Sequence, residues 1–384
     1  DLVPFHHILH LPTRILEIPK KYGVRVILSI HDYYLLCDSF NLIDHTGQFC
    51  EIEKKDISDC ELCVRARRQP VKGFIGRRVF INMMIDQADA VIVNTKDTST
   101  RFGAVFPSIL QQKALVEMPV STPHMDLNHD TKKSVNKNYD ILKIAVLGNL
   151  SGVKGGAIVM QLVDAFKSLN IEFHFFGRVD QEYQYVKSAS DYPNVTLHGA
   201  YQPGKIPKEV QACDVSLHLS VWPETYCLAL SESWLNGLVP IVSDIGAISE
   251  RVLDGVNGYV VKYSSALEAK SLLLRIYTNK RMLDEIDISN PPIFAFSDHT
   301  KALENLYESV LPKSSANYWQ YNPNDKGMQS LARQISLDLN DTDANSLIIR
   351  RRSARERINK LLFSLKTNGL IFTAKKVYLY LRDR

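Results

Sequence analysis

Two carboxylates, Glu224 and Glu232, stand eight residues apart in the run Trp222-Pro223-Glu224-Thr225-Tyr226-Cys227-Leu228-Ala229-Leu230-Ser231-Glu232. The first sits in a Pro-led loop and the second inside an apolar, helix-like stretch. Carboxylates accept paired hydrogen bonds from diols. A second set of residues suits phosphate: Gly148-Asn149-Leu150-Ser151-Gly152-Val153-Lys154-Gly155-Gly156 follows an apolar run and opens a helical one. A glycine-rich turn before a helix offers backbone amides to an anion, and Lys154 adds a positive charge. A sugar nucleotide presents ribose hydroxyls, a diphosphate and a sugar ring, and each part finds a partner among these residues.

Cysteine supplies another chemistry. Cys37, Cys50, Cys60 and Cys63 are four of the six cysteines and fall in one short, polar segment. The Cys60-x2-Cys63 pair has the bite of a tetrahedral thiolate site that Cys37 and Cys50 can complete. The reading is a structural Zn2+ that replaces a missing core; the alternative is four free, packed thiols. Six cysteines at this density imply a reducing, cytoplasmic setting rather than a disulfide scaffold.

The elements that must position these groups are legible as alternation. Apolar runs at Val24–Ile30, Ala90–Val93, Leu142–Gly148, Ile171–Gly177, Val195–Leu197, Val215–Leu219, Val239–Val242 and Tyr259–Val261 read as buried strands. Loops and helical periodicity follow most of them, which argues for α/β architecture with parallel sheets. Ligands of such folds bind at the carboxyl edge of the strands. The expected division is a partial first Rossmann-like domain over 1–122 with a cysteine-rich insertion at 37–63. A linker at 123–140, a second Rossmann-like domain at 141–311 and a polar linker with a basic helical tail at 312–384 follow. The chain begins without Met and inside apparently folded sequence, so the first domain is expected to be truncated and the chain a piece of a longer polypeptide.

Charge is unevenly spread. The net charge is +4, yet eleven Lys and Arg face two acids between Arg350 and Arg384, leaving the rest mildly acidic. Nucleic acid is therefore excluded as the main partner. The amphipathic basic tail has three readings: a contact with an anionic membrane surface, with a neighbouring module, or a solvated helix face. No apolar run is long enough to span a bilayer. The expected location is cytoplasmic, including the inner face of a membrane.

With these motifs in order, the span from about Lys143 to Val261 resembles the donor-binding half of GT-B retaining glycosyltransferases of family four, the glycosyl transferases group 1. Its phosphate loop matches Gly148 to Gly155, its later glycine Gly199, and its Glu-x7-Glu signature Glu224 to Glu232. The resemblance implies two Rossmann-like domains and transfer of a sugar from a nucleoside-diphosphate sugar to a glycan or lipid-linked acceptor, as in bacterial surface polysaccharide synthesis. It implies no cofactor for catalysis. It assigns ribose to Glu232, the transferred sugar to Glu224, the diphosphate to Lys154, and sugar or phosphate to the backbone of Thr225, Tyr226, Cys227 and Leu228. His31, at the end of the strand before Asp32, matches a first-domain histidine that faces the cleft; the alternative is an ordinary loop histidine. The family often has Arg where this chain has Asn149. That departure keeps a second reading open, a non-catalytic nucleotide-sugar-binding module of a larger protein.

Overall fold

Continuous apolar runs are what strands buried on both faces by covering helices require, and two parallel sheets form. The computed structural model describes residues 2–8, 15, 17–69, 71–111, 115–126, 140–187, 191–202 and 204–311. Residues 8–23 fall in a small unit whose described part contains α1 (Glu17–Lys21). Both sheets belong to the other unit, which spans 2–7 and 24–312.

The first sheet pairs β1 (Leu2–Phe5), β2 (Arg25–Ile30), β3 (Ala90–Val93) and β4 (Leu115–Glu117) in chain order, all parallel. Its helices are α2 (Ile57–Ala66), α3 (Val71–Gln87) and α4 (Lys96–Val105). Thr95 ends β3's loop and starts α4, its hydroxyl accepting from the Thr98 amide.

The second sheet contains β5 (Leu142–Leu147), β6 (Ile171–Phe176), β7 (Val195–Gly199), β8 (Val215–His218), β9 (Val239–Ser243) and β10 (Tyr259–Val261). Their spatial order is β10-β9-β8-β5-β6-β7, again parallel throughout. The chain winds outward from β5 to β7 and then returns to β8 on β5's other side. The reversal leaves a crevice at the carboxyl ends of β5 and β8, where an α/β fold binds ligand. Helices α5 (Gly156–Ala165), α6 (Leu228–Leu235), α7 (Gly246–Arg251) and α8 (Ala266–Thr278) complete this half. Its main core joins Ile144, Val163, Phe173, Leu217, Trp234 and Ile276.

The last described helix, α9 (Phe296–Val310), falls in sequence within the stretch expected for the second domain. Leu306 packs with Ile27, Ala90, Ile92 and Met118, so α9 covers the first sheet rather than closing the second. The architecture is thus two Rossmann-like domains, as the resemblance implies. The expected linker lies largely, and the basic tail wholly, outside the described residues.

Candidate functional site

The loop after β5 and the loop after β8 meet at the crevice. Gly155 permits it: its φ is +77°, and a Cβ there would lie 1.9 Å from the Leu219 carbonyl oxygen. This approach brings Lys154 against Glu224, whose Oε2 it contacts; Ser220 Oγ donates to Oε1. Glu224 is only 4% exposed. Burial alone would raise its carboxyl, but Lys154 and then Ser220 outweigh that and hold it below the ordinary carboxylate range. Burial likewise opposes charge on Lys154, and Glu224 reverses the direction, keeping the ammonium above its usual value. The Lys154 side chain remains 39% exposed and lies 5.7 Å from the Trp222 ring centroid, so its charge borders solvent as well as the carboxylate.

Glu224 carries the loop into α6. Its carbonyl accepts from Ala247 N–H at 2.9 Å, which ties the loop to α7. Arg251 fixes the next turn: its guanidinium donates to the carbonyls of Tyr226 at 2.9 Å and Cys227 at 3.1 Å, and to Ser231 Oγ at 2.7 Å. It also stacks on the Tyr226 ring at 3.9 Å. With these carbonyls drawn toward Arg251, Cys227 adopts a left-handed conformation with φ of 68° and α6 begins at Leu228. Beneath lies His218, fully buried, its Nε2 2.9 Å from Ser233 Oγ. Ser233 itself donates to the Ala229 carbonyl, so Nε2 carries the proton in this pair. Burial lowers the His218 pKa to about 4 and keeps the ring neutral.

Glu232 sits on the second turn of α6, 6% exposed. Tyr201, beyond the Gly199 turn that ends β7, donates to Glu232 Oε2 at 2.6 Å. Gly148, at the end of β5, has a φ of +86°. The adjacent Asn149 does not replace a cationic side chain: its Oδ1 accepts from Arg178 N–H at 3.2 Å and joins the loops after β5 and β6. Arg251, Ser220, His218 and Tyr201 are residues of the crevice that motif reading passes over; the partners of Arg251 and Tyr201 are remote in sequence.

From the first domain, the end of β2 reaches the same crevice. Thr225 Oγ1 donates to the His31 carbonyl at 2.5 Å, and the Trp222 and Tyr33 rings meet edge-on at 6.4 Å. The His31 ring stacks on His6, with Nε2 3.1 Å from His6 Nδ1. Packing around the ring and then His6 lower the His31 pKa to about 4, although an edge stays exposed. The neighbouring His7 lies 2.7 Å from Asp32. His31 thus joins the Glu224 loop through its backbone and offers a neutral ring beside it.

The structure lends no support to the expected zinc site. Among the described residues no group of three or more His, Cys, Asp or Glu side chains is arranged to hold a metal ion. Cys37, Cys50, Cys60 and Cys63 line one cavity of about 170 Å³. The segment also has the core that the zinc reading assumed was missing: Leu36, Leu42, Ile52, Val64 and Phe74 are all buried there. Cys60 Sγ accepts from Arg78 at 3.5 Å, and burial pushes the Cys50 thiol up to about 12. No described helix is long and apolar enough to cross a membrane.

The fold and its switch-point site define a GT-B glycosyltransferase architecture. Residues 128–289 match the family described as Glycosyl transferases group 1. No curated protein matches the chain. Among solved structures, sucrose-phosphate synthase of Thermosynechococcus elongatus is similar over 80% of this chain and 73% of its own, with 14% identity and a TM-score of 0.56. Alr3699/HepE of Anabaena, solved in complex with UDP, matches over 80% of this chain and 79% of its own, at 15% identity and a TM-score of 0.53. The lipopolysaccharide outer core galactosyltransferase WaaB matches over 81% and 76%, at 14% identity and a TM-score of 0.50. At these identities the likeness concerns the fold.

Proposed function

We propose that the protein is a retaining glycosyltransferase that moves a sugar from a nucleoside-diphosphate sugar to a hydroxyl of a glycan or lipid-linked acceptor, in the assembly of a surface polysaccharide. The observation that carries this reading is the buried Glu224, ionised by Lys154 and Ser220 at the switch-point crevice. Glu224 would accept from hydroxyls of the transferred sugar and Glu232 from the ribose. Lys154, half open to solvent, would swing from Glu224 toward the diphosphate when donor enters. In the reaction, the C1–O bond to phosphate breaks with its electron pair leaving on the phosphate oxygen. The acceptor oxygen bonds to C1 on the same face, and its proton passes to that phosphate oxygen. Lys154 stabilises the charge that grows there. The neutral His31 ring would accept or donate a hydrogen bond at the sugar without adding charge.

The test is transfer from radiolabelled UDP-, GDP- and ADP-sugars to a panel of glycan and lipid-linked acceptors, with the anomer read by NMR. Product should form with the donor's anomeric configuration, and Glu224→Gln should cut turnover by at least about a hundredfold. Binding of a sugar nucleotide without transfer to any acceptor would favour the non-catalytic binding module. An inverted product would reject the retaining mechanism.

A further inference from the structure

Arg251 is more than nine-tenths buried, yet no carboxylate among the described residues contacts its guanidinium. Burial lowers its pKa, and the one carboxylate that opposes this, Glu224, acts from a distance and is already bonded to Lys154 and Ser220. A buried cation is ordinarily matched by an anion in contact with it. What Arg251 touches is neutral: the carbonyls of Tyr226, Cys227 and Pro292, the Ser231 hydroxyl, and the rings of Tyr226 and Trp234. An apolar side chain would also fill the space against those rings, but it would leave the carbonyls free to turn.

The Tyr226 and Cys227 carbonyls belong to the two peptide groups that flank Cys227 and lead into α6. A trans peptide is planar, with its N–H directed opposite to its C=O. Because the carbonyls face buried Arg251, the amides of Cys227 and Leu228 point away from it. Neither amide donates to an acceptor among the described residues. Leu228 is 38% exposed, so this side of the turn is the open one. Between the two peptides Cys227 has a φ of +68°, a strained conformation for a residue with a Cβ, and Arg251 holds it from both sides. A hydrogen bond at one end of a peptide group polarises it and strengthens the bond made at the other end. An anion on these amides would lie about 8 Å from the guanidinium, near enough in a dry interior to feel its charge. We propose that Arg251 is a positioning residue that aims the Cys227 and Leu228 amides at the donor's diphosphate and carries its charge to that diphosphate through the two peptide groups. The role rests on the donor-binding reading given above, and it falls to a residue of α7 that does not itself touch the ligand.

Calorimetric titration of the whole chain with UDP, GDP and ADP, and with the parent nucleosides, tests it, together with the amide proton resonances of Cys227 and Leu228. For the base that binds the wild type, Arg251→Met should weaken the diphosphate at least about tenfold and the nucleoside less than about twofold. The diphosphate should move both amide protons downfield in the wild type, and no more than about half as far in the variant. Arg251→Gln, which keeps a donor for one carbonyl and carries no charge, is the second variant should the first fold poorly, and it should give the same contrast. Equal weakening of diphosphate and nucleoside makes Arg251 a support of the fold alone, and undiminished diphosphate binding removes it from the site. Either result overturns the positioning role and leaves donor binding intact. Where the nucleoside binds too weakly to titrate, the resonances decide, and shifts as large in the variant as in the wild type overturn the role. If the wild type binds none of the three diphosphates, the donor reading itself fails, and this inference with it.

Discussion

At the scale of single residues, the site is a set of buried charges and neutral rings whose ionisation is set by contact. Removing Lys154 leaves Glu224 buried with Ser220 as its remaining polar partner in that cluster. A fully buried pair would cost about 3–5 kcal/mol to break. Lys154 is 39% exposed, so screening reduces this, and Lys154→Met should lose about 1–2 kcal/mol in urea denaturation. Sugar-nucleotide affinity should fall more than about tenfold, because the diphosphate loses its cation. An unchanged affinity would remove Lys154 from the donor site. The pH dependence separates two groups. His218 has a folded pKa of about 4 against 6.5 unfolded, so the unfolded chain takes up the proton first. Stability should drop by about 3 kcal/mol as pH falls from 6.5 to 4, and His218→Asn should flatten that window. Glu224, depressed when folded, contributes stability that is complete above its ordinary value of 4.5 and lost as pH falls below it. Denaturation midpoints measured at half-unit pH steps distinguish the two, since the windows adjoin without coinciding.

At the scale of elements, the loops matter more than the helices they precede. Gly155→Ala places a methyl 1.9 Å from the Leu219 carbonyl and forces the β5 and β8 loops apart. The expected cost is at least about 2 kcal/mol by thermal unfolding, with nucleotide binding lost as Lys154 withdraws. Full binding by a stably folded Gly155→Ala protein would show that the approach of these loops is dispensable. These loops could be located from sequence because each joins a continuous apolar strand to a helix with glycine punctuation. Eight strands are visible in that way. β1 is not, since Leu2–Phe5 is four residues broken by Pro4, and β4 is not, since three residues carry no period. The apolar face of α9 is legible, but its destination is not: periodicity says that a face is buried and not which sheet buries it. The same limit applies to the site. Glu224, Glu232 and Lys154 lie in motifs whose residue types announce diol and phosphate chemistry. Tyr201 and Arg251 act through partners on other elements, and only the fold brings them there. In the cysteine segment the spacing suggests a metal, while the structure shows buried apolar residues, Leu42 and Ile52 among them, lying between the cysteines.

At the scale of the whole molecule, the question is what holds the two sheets' carboxyl edges toward one another. Thr225 and His31 make one link. Another is at α4, whose first three amides are all satisfied from outside the helix ladder. Thr98 N–H is bonded within the first domain by Thr95, whereas Lys96 N–H and Asp97 N–H donate to the Glu250 carboxylate of α7 at 3.1 and 2.8 Å. A carboxylate at a helix N-terminus is favoured by both the unpaired amides and the helix dipole, and here it comes from the opposite domain. The same short helix ends in Arg251, which holds the Tyr226 and Cys227 carbonyls. α7 thus grips the Tyr226–Cys227 turn with one residue and the first domain with the preceding one. Glu250→Ala should leave the sheets folded and loosen this grip. Amide exchange at Lys96 and Asp97 should accelerate at least about tenfold, while that of Thr98 changes little, because Thr95 still caps it. The radius of gyration from small-angle scattering should rise, and the nucleotide dissociation constant should increase by a few fold without loss of the site itself. Glu250 is exposed, so water replaces its bonds readily and the stability change should stay within about 1 kcal/mol. Unaltered exchange at Lys96 and Asp97 would mean that the contact does not hold the domains together in solution. Faster exchange at Thr98 to the same degree would mean that α4 frays as a whole, and the loss would then lie in the helix rather than between the domains.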